Sequence, residues 1–301
     1  MRSFGSYVGH TLAEGNRIVA VVLTRNRRDL LCDCLTALRG QKRRADLVIV
    51  IDNAGSDGSA TMVREEFPEA VLVTLKANVG AAGGFREGLQ RAFEHGADWV
   101  WLLDDDTIVS PDCLARLLEA RAVSGLPPPA LLASRVEWTD GRPHPMNRPI
   151  LRRDDIAHSI ACAERGLAPL RTATWVSLLI SRPAIERHGY PIAGYFLWTE
   201  DIEYTARILC TDHGYFVPRS VAVHHTRVAH GPAVEAGERF YFHVRNNLFM
   251  MRGSSWRASE KPGLAWSLVA SILTYLRLDG WRWGSLRVVL RGLRHGLGRV
   301  P

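Results

Sequence analysis

The chain has 301 residues, 47% hydrophobic and 23% charged, an ordinary globular composition that excludes a disordered chain. Its net charge of +7 is unevenly placed: from Arg252 onward nine lysines and arginines face two acids, and the body before them is balanced. A protein basic throughout would point to nucleic acid; a neutral body with a basic tail points to an anionic membrane surface or a partner.

Residues 1–16 read as a loose arm without the apolar segment of a secretion signal. Ile18–Leu23 is a continuous apolar, β-branched run, as expected of a strand buried on both faces. Arg28–Leu38 has helical spacing, Leu47–Ile51 is a second buried strand, Ser59–Phe67 a short helix and Val71–Leu75 a third strand. Gly83–His95 is helical, Trp99–Leu103 a fourth strand, and Pro111–Arg121 a helix with proline in its first turn. This alternation predicts an α/β fold: a mostly parallel sheet flanked by helices on both faces.

Beyond Pro127–Pro129 the pattern loosens. Ala130–Val136 reads as a strand, Asp140–Pro169 as a long excursion or lid, and Ala173–Ile180 as a strand followed by a short helix from Pro183. Glu200–Cys210 is helical, and Phe216–Val217 and Ser220–Val223 are short strands. From Gly237 the chain reads as helical with breaks at Gly253, Pro262 and Gly280. The expected organisation is an arm (1–16), a catalytic domain (17–251) and a basic amphipathic helical tail (252–301). The longest apolar run, Gly263–Leu276, is shorter than the roughly 20 residues that span a bilayer. The five cysteines form no disulfide framework or zinc spacing and are expected as reduced thiols, which favours the cytosol.

In a parallel α/β sheet, ligands sit beyond the carboxyl ends of the strands. The segments there are Thr24–Arg27, the loop from Asp52 to Ser59 (DNAGSDGS), Asn78–Gly84 (NVGAAGG), and Asp104-Asp105-Asp106. All are polar or glycine-rich and fall on one sheet edge. Three adjacent carboxylates after an apolar strand repel one another, and a hard divalent cation relieves that cost. Alternation in an extended segment lets Asp104 and Asp106 share one ion while Asp105 faces elsewhere. A second acidic cluster, Glu200, Asp201 and Glu203, follows the aromatic run Tyr195–Trp198. A carboxylate there partners a helix dipole, or, walled by aromatics, serves as a general base. His224-His225 offers an imidazole that could complete the metal site.

Together these motifs, from about Arg17 to Met251, resemble the nucleotide-sugar glycosyltransferases of family 2, which have a GT-A (Rossmann-like) fold. NVGAAGGF with WVWLLDDD, and Tyr241–Leu248 (YFHVRNNL), are similar to the galactofuranosyltransferases of actinobacterial cell-wall galactan and to related rhamnosyltransferases. The resemblance implies that Thr24 and Asp52 contact the nucleotide, Asp52 through the uracil or thymine ring. It puts Asn78, Gly83, Gly84 and Asp105 on the donor and Arg245 near phosphate. Asp104, Asp106 and His224 would hold Mg²⁺ or Mn²⁺ on the diphosphate, Asp201 would be the base, and Trp198 and Glu200 would line the acceptor.

The implied reaction is an inverting single displacement from UDP-galactofuranose or dTDP-rhamnose to a polyprenyl-linked or cell-envelope glycan. The implied place is the cytoplasmic face of the cell membrane, bound peripherally, because the tail joins aromatics to recurrent arginines. The chain lacks the extra domains of the larger polymerising galactofuranosyltransferase, which suggests a single-addition enzyme and shifts weight toward rhamnose. A nucleotidyltransferase would need glycines directly after the first strand, where TRNRRD stands. A nucleic-acid binder lacks any recognition motif here. An inactive sugar-binding relative would have no need of the full set of aspartates and His224. No signal for an oligomeric state is present.

Overall fold

The computed structural model describes residues 16–227, 233–234 and 236–299. The expected arm, residues 1–16, lies outside them apart from Asn16. A ten-stranded sheet in the order β3-β2-β1-β4-β9-β6-β10-β8-β7, with β5 attached to β10, forms the centre. The first four strands are β1 (Ile18–Thr24), β2 (Leu47–Asp52), β3 (Val71–Thr74) and β4 (Trp99–Asp104). They pair in parallel, as their apolar runs predict. Every residue of β1 is buried. Its pleat sends Ile18, Ala20 and Val22 into the core under α1 (Arg28–Arg39), α2 (Ser59–Glu66) and α4 (Cys113–Arg121). Val19, Val21 and Leu23 enter the opposite core, under α3 (Gly80–Glu94).

The second half is mixed. β9 (Leu178–Ser181) runs antiparallel to both β4 and β6 (Pro129–Glu137). Of the strand expected at 173–180 only the last residues are strand: β8 (Ala168–Thr172) ends just before that stretch, residues 173–177 form a turn in which Ser177 has φ 55°, and β9 begins after it. The excursion from Asp140 contains β7 (Ile150–Leu151) and α5 (Ile156–Ala163), and α6 (Arg182–His188) follows β9. The two short strands expected near 216 and 220 are one strand, β10 (His213–His224), with an irregularity between Val217 and Val221.

One unforeseen element matters most for the site. β5 (Thr107–Val109) pairs antiparallel with β10 and sets Thr107 opposite His224. That register carries a residue from the end of β10 next to the aspartate triplet.

α7 (Glu200–Ile208) leads from the acidic pair into the second core. Three C-terminal helices follow: α8 (Phe240–Arg252), α9 (Lys261–Leu278) and α10 (Trp283–Gly296). Pro262 starts α9 rather than breaking a helix, because proline is tolerated in a first turn. α10 lies close on α8: a Cβ at Gly292 would fall 2.8 Å from Val244 Cβ, and one at Gly296 2.6 Å from Leu248 Cδ1. α9 buries Leu268, Tyr275 and Leu276, but leaves Trp266, Val269 and Leu273 on the surface. No helix among the described residues is long and apolar enough to cross a membrane.

Candidate functional site

The strand order reverses between β1 and β4, the switch point where open α/β sheets bind ligands. Leu23 pairs with Asp104, Thr24 with Asp52, and Asp52 with Thr74, so these strand ends stop at one level. Asp104 and Asp106 meet His224 there: one ligand atom from each lies within 4.8 Å of the others. His224 Nε2 is 3.1 Å from Asp106 Oδ1, without hydrogen-bond alignment, so that buried oxygen has no aligned donor. On its far side, His224 Nδ1 is 2.8 Å from Asn147 Oδ1. A proton on Nδ1 donated to that amide leaves Nε2 for a metal. Two carboxylates, one of them under-satisfied, and an oriented imidazole fit a divalent cation.

The charged groups act strongly on one another. Burial, together with the charges of Asp106 and Asp105, pushes the Asp104 carboxyl well above its ordinary value. Burial works against ionised Asp106 too, but His224 and Arg27 outweigh it and hold that carboxyl low. Burial alone would lower His224; the Asp106 carboxylate reverses this and raises it. Arg27 was not foreseen. Its guanidinium hydrogen-bonds Asp106 Oδ2 and lies 3.3 Å from Asp105 Oδ1.

Several expected donor contacts are otherwise engaged. Asp105 is engaged by protein: it accepts from Thr24 Oγ1 at 2.8 Å and from the Arg25 amide at 3.3 Å, and shares Arg27 with Asp106. Thr24 therefore spends its hydroxyl on Asp105. Burial raises Asp105 to about 6. Asp52 Oδ1 accepts from the Gly55 amide at 2.8 Å and shapes its own turn. Asn78 accepts from the Gly80 amide at 3.0 Å.

Gly83 and Gly84, expected on the donor, also have a packing role. Both are buried in α3, and a Cβ at Gly84 would lie 2.4 Å from Leu23 Cδ1, one at Gly83 2.7 Å from Val79 Cβ. The close approach of the helix to β1 and to its own first turn is enough to require a small residue at each. Asn53, absent from the expectations, ties the loops together by donating to Gly80 O at 3.1 Å and accepting from the Val79 amide at 2.9 Å.

The second acidic cluster adjoins the first: Asp104 and Asp201 both act on Glu200, after burial the charges that keep its carboxyl strongly raised. Glu200 is buried, with Oε2 lacking a hydrogen-bond partner. Asp201 Oδ1 accepts from the Ile202 amide at 2.7 Å; burial raises its carboxyl to about 6. Glu203 belongs elsewhere, ion-paired with Arg207 at 3.0 Å and hydrogen-bonded by Ser255 at 2.5 Å.

The residues leading into the pair are strained. Phe196, Trp198 and Thr199 have φ of 64°, 64° and 66°, a conformation that costs non-glycine residues about 1–3 kcal/mol each. Trp198 reaches the cluster formed by α8, α9 and α10. Arg245, expected near phosphate, engages this segment: its Nη2 donates to Gly194 O at 2.9 Å and Tyr195 O at 2.7 Å.

Residues 19–124 match the family described as Glycosyl transferase family 2. Galactofuranosyltransferase GlfT1 of Mycolicibacterium smegmatis is 39% identical over 89 residues, 30% of each chain. The aligned stretch thus spans under a third of that relative's length. GlfT1 of Mycobacterium tuberculosis is 28% identical over 214 residues, covering 67% of this chain and 70% of that one. Among solved structures, S. aureus TarS in complex with UDP-GlcNAc superposes with TM-score 0.63 at 14% identity, covering 95% of this chain and 82% of that one. A mannosyltransferase from Pyrobaculum calidifontis, in complex with GDP-Man and Mn²⁺, superposes with TM-score 0.56 at 18% identity, covering 95% of this chain and 76% of that one. At these identities the two structures establish a shared fold.

Proposed function

We propose, from the premise that this chain is a family 2 glycosyltransferase with a GT-A fold, that it transfers galactofuranose from UDP-galactofuranose, with inversion, to a lipid-linked glycan at a membrane surface. The observation that carries the reading is the meeting of Asp104, Asp106 and His224 within 4.8 Å at the switch point, beside the Glu200–Asp201 pair. Galactofuranose is preferred to rhamnose because GlfT1 relatives of closely similar length align with the chain. Shortness is therefore no argument against that sugar.

Asp104, Asp106 and His224 would hold Mn²⁺ or Mg²⁺, which when bound neutralises charge on the leaving diphosphate. Asp52, on the turn beside Thr24, and the exposed Asn78 would meet the nucleotide. The acceptor hydroxyl would lose its proton to the Asp201 carboxylate. Its oxygen forms the bond to the anomeric carbon while the bond from that carbon to the diphosphate oxygen breaks, and the bonding pair leaves with the diphosphate. Attack from the face opposite the leaving group inverts the anomeric centre. Glu200, whose carboxyl burial and the charges of Asp201 and Asp104 raise strongly, would line the acceptor, with Trp198 as an apolar wall.

The organisation into a catalytic body (17–251) and a basic tail (252–301) belongs to the same reading. The exposed Trp266, Val269, Leu273, Trp281 and Trp283, with Arg277, Arg282 and Arg287 nearby in sequence, suit an anionic membrane surface. The five unpaired cysteines fit a reducing cytoplasmic side.

The test is a thermal-shift and turnover panel of UDP-galactofuranose, dTDP-rhamnose and UDP-glucose with Mn²⁺. The expected result is stabilisation and transfer with UDP-galactofuranose alone. Preference for dTDP-rhamnose overturns the sugar, and full activity in EDTA overturns the metal site.

A further inference from the structure

We infer that Asn246, oriented by Arg245, is a positioning residue that holds the strained segment Ala193–Thr199 so that Asp201 and Trp198 present themselves to the acceptor. The inference rests on the reading of Asp201 as the base. It arises from a conflict in the backbone: the segment is AGYFLWT, its only glycine is Gly194, and three of its other residues adopt left-handed φ. Such a conformation persists only where the surroundings over-determine it.

The surroundings here are few and specific. Asn246 is fully buried. Its Nδ2 lies 3.0 Å from Tyr195 O, 2.8 Å from Leu197 O and 2.7 Å from Trp198 O. One amide group thus bonds three carbonyls on both sides of two left-handed residues. Which end of the amide faces the loop is settled by Arg245, whose Nε donates to Asn246 Oδ1 at 2.9 Å. Arg245 Nη2 adds bonds to Gly194 O and Tyr195 O.

The opposite side of the segment is fixed by α3. The Ala82 amide donates to Phe196 O at 3.2 Å. Gly80, at φ 72°, leaves room that a Cβ would close, 2.0 Å from that same oxygen. The Phe196 ring stacks on Phe242, with centroids 5.2 Å apart. Two motifs far apart in the chain, NVGAAGG and YFHVRNN, therefore grip one loop between them. The next two residues are Glu200 and Asp201, on the first turn of α7.

Chemistry decides the probe. In Asn246→Asp the carboxylate keeps its bond from Arg245 but turns an acceptor toward three acceptors. The segment should then leave its left-handed conformation while β1, β4 and the metal cluster stay intact. The expected result is a fall in kcat of a hundredfold or more. The donor KM and the affinity for UDP with Mn²⁺ should stay within about twofold. Hydrogen exchange should quicken in peptides covering 193–202 and not in those covering 99–109.

If Asn246→Asp does not fold, Gly80→Ala attacks the same loop from α3 and should give the same split. Unchanged kcat with faster exchange in 193–202 overturns the positioning role. So does a parallel loss of UDP–Mn²⁺ affinity, or exchange that stays slow. Should Asp201→Asn retain turnover, the base assignment fails, while the exchange result still reports on the clamp.

Discussion

The two halves of the candidate site are built by different physics. On the metal side, Asp104 ends a buried parallel strand, and the pairing of Thr107 with His224 brings the imidazole to the triplet. Ordinary sheet register does the placing, and Asp104, Asp106, Thr107 and His224 all keep negative φ. On the base side, Asp201 follows a segment with three non-glycine residues at positive φ, held by bonds from α8 and α3. A rigid sheet suffices to gather ligands for an ion that tolerates small displacements. A proton acceptor, the role proposed for Asp201, must sit within hydrogen-bond reach of one acceptor oxygen, and the segment before Asp201 is held by several hydrogen bonds.

The comparison is broken most sharply by removing the base. Asp201→Asn should lower kcat by about 10²–10⁴-fold, the range for loss of a general base, with UDP–Mn²⁺ affinity by calorimetry unchanged. Loss of nucleotide affinity instead would merge the two sides into one donor site. On the metal side the milder change is Asn147→Ala, which frees His224 Nδ1. It should weaken Mn²⁺ binding about 10–100-fold, as loss of a ligand's outer partner does, without altering kcat at saturating Mn²⁺. A fall in kcat that Mn²⁺ cannot restore would show that Asn147 serves the reaction more directly.

A pH profile separates the sides without mutation. Burial raises Asp201 to about 6. Below that value the carboxyl is protonated and cannot accept, so kcat should rise about tenfold per pH unit up to roughly 6 and then level. A flat profile from pH 5 to 7 at saturating Mn²⁺ would mean that another group takes the proton.

How much of this the sequence disclosed follows from the same contrast. β1, β2 and β4 are legible because strands buried on both faces are unbroken apolar runs, and the triplet is legible because its repulsion is local. Asn147 is not: it sits in the irregular stretch after β6 and acquires meaning only when β5 pairs with β10. Arg245 and Asn246 were visible as a motif, but an arginine near a presumed phosphate and an arginine gripping carbonyls look identical in one dimension. The turn at Ala173–Ser177 was hidden because apolar residues continue through it. Gly83 and Gly84 show the converse ambiguity, a glycine-rich loop read as ligand contact where helix packing alone would also require small residues. Gly84→Ala should accordingly destabilise by about 1–3 kcal/mol through overpacking on Leu23, seen as a lower Tm with UDP affinity unchanged. Weaker UDP binding at unaltered Tm would return the glycine to the donor.

The smallest effect is expected farthest from the candidate site, where the C-terminal helices repeat the contrast in another form. α10 buries its small stripe on α8 through Gly292 and Gly296. Trp266 and Trp283 remain 74% and 77% exposed, and folding alone gives no reason to keep such rings in water. An interfacial tryptophan that leaves the surface forfeits on the order of 1 kcal/mol, or about fivefold in partitioning. Trp266→Ser and Trp283→Ser should each reduce co-flotation with anionic vesicles by about that factor, leave neutral-vesicle binding weak, and spare turnover on a water-soluble acceptor. Unchanged flotation would mean that this face meets no membrane. Lost turnover on the soluble acceptor would mean instead that the helices, through Trp198, brace the base side of the site as well.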